Sequence, residues 1–116
     1  MLDYTTTYVI IFIIKRKDKV MQRELVINLL KTFKELNQQK YGIEALGLFG
    51  STARDEAKSS SDVDICIKTQ KADLFALVHI KQELEELLST PIDIVRVRDK
   101  MNPFLKSRIE KEAIYV

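Results

Sequence analysis

The sequence predicts an α+β domain with a two-layer arrangement, in which helices flank a small mixed β-sheet. Three observations predict it: an amphipathic helix pattern over 20–40, strand patterns at Ile43–Phe49 and Asp62–Lys68, and a second helical pattern over Ala72–Leu88. A chain of 116 residues is long enough for one hydrophobic core. We therefore expect one domain over 20–116, preceded by an extension over 1–19 of undefined role.

The first half of the chain reads as helix, strand and short helix. Apolar residues recur at helical spacing in the first segment: Leu25, Val26, Leu29, Leu30, Phe33 and Leu36. Gly42 stands where a glycine commonly ends a helix. After the strand, Gly50 and Ser51 lead into a short helix for which Ser51 is the expected N-cap.

The second half reads as strand, helix, strand and helix. Pro91 is tolerated at the start of the third strand, and we expect that strand to be central in the sheet. Asn102 and Pro103 predict the N-cap and first turn of a last helix that ends at about Lys111, followed by an extended piece. The sequence leaves mixed or antiparallel pairing open across 51–61, whereas a β-α-β crossover is natural across Ala72–Leu88.

Composition excludes several classes of function. The net charge of +2 lacks the basic excess typical of proteins that clamp a nucleic-acid backbone. One cysteine and one histidine provide neither an internal disulfide nor a zinc set, and they favour a reducing, cytoplasmic compartment. The apolar run Tyr8–Ile14 is far shorter than the roughly 20 residues that cross a bilayer. We expect no direct nucleic-acid partner and no membrane.

Gly50 and Ser51 form a candidate phosphate-binding turn. A glycine at a strand end lets the backbone approach a ligand closely, and the amides of a following helix attract anions. The Ser51 hydroxyl could donate to a phosphate, and Arg54 could either meet the same phosphates or neutralise a nearby acid. A Gly-Ser pair alone is equally typical of an ordinary turn.

Asp62 and Asp64 form a candidate metal-binding pair. Side chains at i and i+2 of a strand share one face, so these two carboxylates project together while Val63 and Ile65 project to the other face. Mg²⁺ binds carboxylates together with substrate phosphates. The alternative is a wet strand end with two solvated acids.

Asp93 is the third acid of interest because it stands between Ile92 and Ile94 in the third strand. A buried acid needs a partner, which could be Arg96 or Arg98. It could equally complete a metal site with the first two acids. Three carboxylates beside one phosphate-binding turn would hold two metal ions about 4 Å apart, the arrangement for in-line nucleotidyl displacement.

These residues resemble a known family. Gly50-Ser51, ten further residues and "DVD" reproduce the G-S-x₁₀-D-x-D pattern of the nucleotidyltransferase superfamily that includes DNA polymerase β. The stretches "GLFGSTARDEAKSSSDVDICIKT", "ELEELLSTPIDIV" and "LKSRIEKEAIYV" resemble its minimal nucleotidyltransferase (MNT) family. The resemblance covers about residues 21–116 and implies the nucleotidyltransferase fold. Asp55 departs from the glycine that often follows the arginine in this family.

The resemblance implies an activity and a partner. Gly50 and Ser51 would hold the triphosphate of ATP, Asp62 and Asp64 would bind two Mg²⁺ ions, and Asp93 would bind the metal next to the attacking hydroxyl. AMP would pass from ATP to a hydroxyl, typically of a tyrosine, on a HEPN-family toxin. Members of this family are commonly antitoxins of such ribonucleases, and a hetero-oligomer with the toxin is implied.

Two other functions remain open on the sequence. The protein could neutralise a toxin by docking alone, without transferring a nucleotide. It could also modify a small acceptor such as an aminoglycoside, although enzymes of that kind normally use a second domain or a dimer to enclose the acceptor.

Overall fold

The computed structural model of the protein describes residues 22–58 and 62–116. The predicted extension over 1–19 lies outside the described residues, as do positions 59–61 of the polar loop. Eight elements succeed one another in the described part: α1 (Arg23–Tyr41), β1 (Ile43–Phe49), α2 (Gly50–Ala53), β2 (Val63–Thr69), α3 (Leu74–Leu88), β3 (Ile92–Arg96), α4 (Pro103–Glu112) and β4 (Ile114–Tyr115). The predicted order is confirmed, and the final extended piece is β4.

Helix α1 forms because its apolar residues recur on one face and can be buried together. Val26, Leu30 and Phe33 on that face are almost fully buried. The helix ends at Gly42, whose φ of +62° is left-handed and whose amide donates to the carbonyl of Gln38. The predicted C-terminal glycine is therefore confirmed.

The strands of the described residues form one mixed sheet in the order β3-β2-β1-β4. β1 and β2 are antiparallel, which decides the pairing that the sequence left open. β2 and β3 are parallel and are joined by α3, as predicted for a β-α-β crossover. β4 pairs antiparallel with β1. The predicted fold class, a small mixed sheet flanked by helices, is confirmed.

The prediction that the third strand is central was wrong, because β3 lies at an edge of the sheet formed by the described residues. Its apolar neighbours misled the prediction: Ile92 is buried and Ile94 packs against the core, but Asp93 between them is exposed. A carboxylate that keeps its water needs no buried partner. Arg96, one of the two partners considered for it, donates instead to the Thr69 hydroxyl at 2.9 Å.

The two faces of the sheet carry different side chains. One face, which we call the core face, packs against α1 and α3 and holds the main apolar cluster, including Leu48, Ile65 and Ile67. The other, which we call the α4 face, holds a smaller cluster of Phe49 and Cys66 under Ile109 of α4. Alternation along β2 sends Ile65 to one face and its neighbours to the other.

Helices α3 and α4 each begin after a residue whose side chain caps the first turn. Asp73 accepts hydrogen bonds from two amides of the first turn of α3, so this helix begins two residues later than predicted. Asn102 caps α4 in the same way with Pro103 in the first turn, as predicted. Among residues 22–58 and 62–116, none of the helices is long and apolar enough to cross a membrane.

Candidate active site

The turn after β1 brings the backbone against a carboxylate. Gly50 has φ +76°, a left-handed conformation that favours glycine. A Cβ at this position would collide with Oδ2 of Asp64 and come within 3.0 Å of its Cγ. The close approach arises because Phe49, the residue before the turn, is paired with Asp64 in the antiparallel register. Glycine is therefore required here for both reasons, conformation and space.

Asp64 and Asp93 are directly paired across the parallel strands β2 and β3. Paired residues in neighbouring strands project to the same face, so both carboxylates lie on the α4 face. Asp62 is the residue immediately before β2, and it lies two residues before Asp64 in the sequence. The structure thus brings the acids of residues 64 and 93 together beside the Gly50 turn, while their catalytic and metal-binding roles stay predictions.

The pKa of Asp64 depends on burial and on the charged side chains around it. Burial raises the pKa of Asp64, and the negative charge of Asp93 raises it further. The positive charge of Arg108 lowers this pKa, Asp62 raises it, and Arg54 lowers it more weakly. Like charges held this close are unfavourable unless a cation neutralises them.

The carboxylates of Asp64 and Asp93 suit a Mg²⁺ site that is completed by a nucleotide better than a metal site made of protein ligands alone. In residues 22–58 and 62–116, no three His, Cys, Asp or Glu side chains form a ready-made metal cage. Mg²⁺ usually takes one or two carboxylates and completes its shell with waters and substrate phosphates. A half-buried carboxylate at Asp64, an exposed one at Asp93 and a turn without a side chain at Gly50 suit such a shared site.

Ser51 occupies a different place in the turn from the one predicted. Helix α2 begins at Gly50 with Phe49 at the N-cap position, so Ser51 lies inside the first turn and is not the cap. The reason is the left-handed Gly50, which places the chain reversal one residue earlier than a serine cap would. Ser51 remains beside Gly50, and its predicted role in holding phosphate is neither changed nor tested by this correction.

Arg54 is engaged with acids. Its Nε donates to Glu56 at 3.2 Å, and its Nη1 donates to Oε1 of Glu112 at 2.9 Å. Its hydrogen bond to Glu56, together with the charge of Glu112, raises the pKa of this arginine. Of the two roles considered for Arg54, the structure displays the neutralisation of nearby acids; contact with phosphate stays a prediction.

Asp55 follows Arg54 with φ +61°, the left-handed region. This is the position at which glycine is common in proteins that the sequence resembles. Glycine adopts such a conformation without the steric cost that a Cβ brings, and aspartate is among the residues that tolerate it best. Asp55 therefore adopts a backbone conformation that glycine would adopt at lower steric cost.

Helix α4 contributes two side chains that sequence reasoning missed. Glu112 accepts a hydrogen bond from the Gly50 amide through Oε2 at 3.1 Å, in addition to its bond with Arg54. The guanidinium of Arg108 lies 5.8 Å from the centre of the Phe49 ring and 3.9 Å from Oε2 of Glu112. Their i, i+4 spacing shows that they share a helix face, but no pattern in the sequence tells which end of the sheet that face meets.

Known proteins resemble this chain in sequence and in fold. The profile of the family described as "Nucleotidyltransferase domain" matches residues 27–116. MJ1217 of Methanocaldococcus jannaschii, assigned by name to the protein adenylyltransferases, is 33% identical over 89 residues, which are 76% of this chain and 91% of that protein. A solved structure described as a minimal nucleotidyltransferase superposes with a TM-score of 0.68 at 29% identity, covering 81% of this chain and 95% of the other.

A second solved structure resembles this chain in fold alone. It is described as a tri-AMPylated Shewanella oneidensis HEPN toxin in complex with MNT antitoxin, and it matches with a TM-score of 0.58 at 22% identity, over 81% of this chain and 71% of that one. The family profile covers most of the chain, including the Gly50 turn and all three acids. This protein therefore belongs to the nucleotidyltransferase domain family.

Proposed function

We propose that this protein is an adenylyltransferase that moves AMP from ATP to a hydroxyl of a HEPN-family toxin and thereby neutralises it as an antitoxin. The observation that carries the proposal is the direct pairing of Asp64 with Asp93 beside the Gly50 turn. The adenylyltransferase name of the archaeal relative and the AMPylated toxin in the complex of similar fold support the choice of nucleotide and partner.

The residues of the site have distinct roles in this proposal. Gly50 and Ser51 hold the triphosphate, and Arg54 lies beside them, paired with Glu56 and Glu112. Asp62, Asp64 and Asp93 are the ligands for two Mg²⁺ ions. The metal ions supply positive charge that neutralises the phosphates and favours loss of the proton from the attacking hydroxyl.

The transfer itself is an in-line displacement at the α-phosphorus. The acceptor oxygen forms a bond to the α-phosphorus, the bond from that phosphorus to the bridging oxygen breaks, and pyrophosphate leaves. Asp93 orients the acceptor hydroxyl and accepts its proton. Because Asp93 is exposed at the edge of the described sheet, a hydroxyl on the surface of another protein can reach it.

The test uses the purified protein with ATP, Mg²⁺ and its HEPN partner, and mass spectrometry of the partner. We expect the mass of AMP to be added, and we expect Asp64→Asn to slow the addition by at least about 100-fold because it removes a charge on which the transition state depends. Asp99→Asn is the matched control, since Asp99 is an exposed acid beyond the end of β3. It should retain the wild-type rate.

Two results would contradict the proposal. No AMP on the partner with the wild-type protein would exclude adenylyl transfer. An Asp64→Asn variant that transfers nothing but still binds the toxin and protects cells would instead support neutralisation by docking alone.

A further inference from the structure

We propose that Arg108 of α4 is the cation that contacts the β- and γ-phosphates of ATP, whereas Arg54 braces the turn that holds the nucleotide. The inference rests on the proposed function in that it takes ATP to be the ligand. It deepens that function by adding a binding residue from the C-terminal helix, far in sequence from the Gly50-Ser51 turn.

Arg54 is poorly available to a phosphate. Its Nε lies 3.2 Å from Oε2 of Glu56, and its Nη1 lies 2.9 Å from Oε1 of Glu112. The remaining N–H groups of Arg54 can still reach a phosphate, but the two nearby carboxylates already offset the positive charge of its guanidinium. Arg54 therefore contributes less to nucleotide affinity than an arginine whose anionic partner is more distant.

Glu112 links Arg54 to the backbone of the Gly50 turn. Its Oε1 accepts from Arg54 while its Oε2 accepts from the backbone amide of Gly50. The carboxylate is mostly buried, with 21% of the side chain exposed. The Gly50 amide is thus already satisfied, so Gly50 serves the ligand by its shape, and the Arg54–Glu112 pair fixes the turn to α4.

Arg108 lies on the α4 face at the acid site. Its guanidinium stands 5.8 Å from the Phe49 ring centre, and Phe49 is paired with Asp64 across the strands. Its positive charge also lowers the pKa of Asp64, against the larger effects of burial and Asp93.

Arg108 is also available to a ligand. Half of its side chain is exposed, 52%, and its ion pair with Glu112 is long at 3.9 Å. The guanidinium of arginine is planar and preorganised, and its set of donors matches phosphate oxygens. Three carboxylates around a triphosphate leave a large negative charge, so a cation at this position favours binding.

The experiment measures the dissociation constant of an ATP analogue whose α–β bridge cannot be cleaved, with Mg²⁺, by calorimetry. We expect Arg108→Gln to weaken binding at least tenfold and Arg108→Lys to recover part of the loss. Lys111→Gln is the control, since it removes the same charge from an exposed position on the same helix and should change the constant less than twofold. AMP should bind wild type and Arg108→Gln equally, because it lacks the β- and γ-phosphates.

The outcomes separate the two proposals. A wild-type protein that binds no nucleotide would overturn the proposed function itself. Wild-type binding with an unchanged constant for Arg108→Gln, or an equal loss for AMP and the ATP analogue, would overturn the role of Arg108 alone. For Arg54→Gln we expect a lower melting temperature and a smaller loss of affinity than for Arg108→Gln; the opposite order would assign the phosphate contact to Arg54.

Discussion

The core face and the α4 face of the sheet are built from the same strands but are stabilised in opposite ways. In β2, Ile65 and Ile67 are fully buried on the core face, whereas Asp64 between the flanking apolar residues lies on the α4 face next to another carboxylate. Burial of apolar surface stabilises the first face. On the α4 face, repulsion between the carboxylates of Asp64 and Asp93 opposes folding. The apolar core must offset this cost.

The α4 face is not simply an exposed surface. Helix α4 covers the middle of it through Ile109, and Glu112 and Arg108 extend from that helix towards the turn. The acids lie beyond this cover at one end of the strands. A small domain can therefore support a charged site on a sheet face when a helix buries the neighbouring part of that face.

The largest expected effect is on the core face. Ile65→Ala should lower the free energy of unfolding by about 2–5 kcal/mol, because it leaves a cavity in a fully buried position. Urea unfolding would measure it. Lys68→Ala in the same strand is the control, since Lys68 is exposed and should cost no more than about 0.5 kcal/mol. Equal losses for the two variants would show that the faces do not differ as described.

A smaller effect is expected at the turn between the faces. Gly50→Ala places a Cβ against the Asp64 carboxylate and forces alanine into a left-handed conformation, so it should destabilise the protein by at least about 1–2 kcal/mol and also weaken nucleotide binding. Thermal melting and calorimetry would measure the two changes.

Gly42→Ala is a matched control for the turn. Gly42 has a similar φ of +62°, but its Cβ would meet only the flexible side chain of Gln70. We expect a similar backbone cost and unchanged nucleotide binding. If Gly42→Ala weakened binding as much as Gly50→Ala, the contact with Asp64 would not be the cause.

The smallest effect concerns the charge on the α4 face. Burial and Asp93 raise the pKa of Asp64 above its ordinary value of 3.8, so the folded protein binds this proton more tightly than the unfolded chain does. The contribution of this group to the free energy of unfolding therefore falls as the pH rises from 3.8 through the higher pKa of the folded state, and the loss is complete once the pH exceeds that folded pKa.

Asp64→Asn removes that loss. In metal-free buffer at pH 7 the variant should melt above the wild type, by less than the roughly 4 °C that 1 kcal/mol produces in a domain of this size. The difference should shrink as the pH is lowered. Melting curves between pH 3 and pH 8 would measure it, and a difference independent of pH would show that the carboxylate charge is not responsible.

Local patterns in the sequence predicted most of the fold. The bounds of β1 matched the prediction because Gly42 and Gly50 flank a mainly apolar run. The caps at Gly42 and Asn102 followed from residue type. The placement of Asp64 and Ile65 on opposite faces of the sheet followed from alternation in β2. Each of these depends on a few neighbouring residues.

The remaining features depend on contacts between distant elements. The edge position of β3 could not be predicted, because apolar residues around Asp93 are equally compatible with a central strand. Glu112 and Arg108 could not be assigned to the site either, because their positions follow from how α4 crosses the sheet. The start of α2 was missed because it follows from the left-handed backbone of Gly50, which the Gly-Ser pair alone does not reveal.

The alternation of β2 has a consequence for how the strands find their partners. A slip of one residue in the pairing of β2 would exchange its two faces, turning Asp64 into the apolar interior and Ile65 outwards. Burying an unpaired carboxylate is far more costly than losing one apolar contact. The acids that cost the native sheet stability thus penalise its misaligned alternatives more heavily, and they help to select a single register during folding.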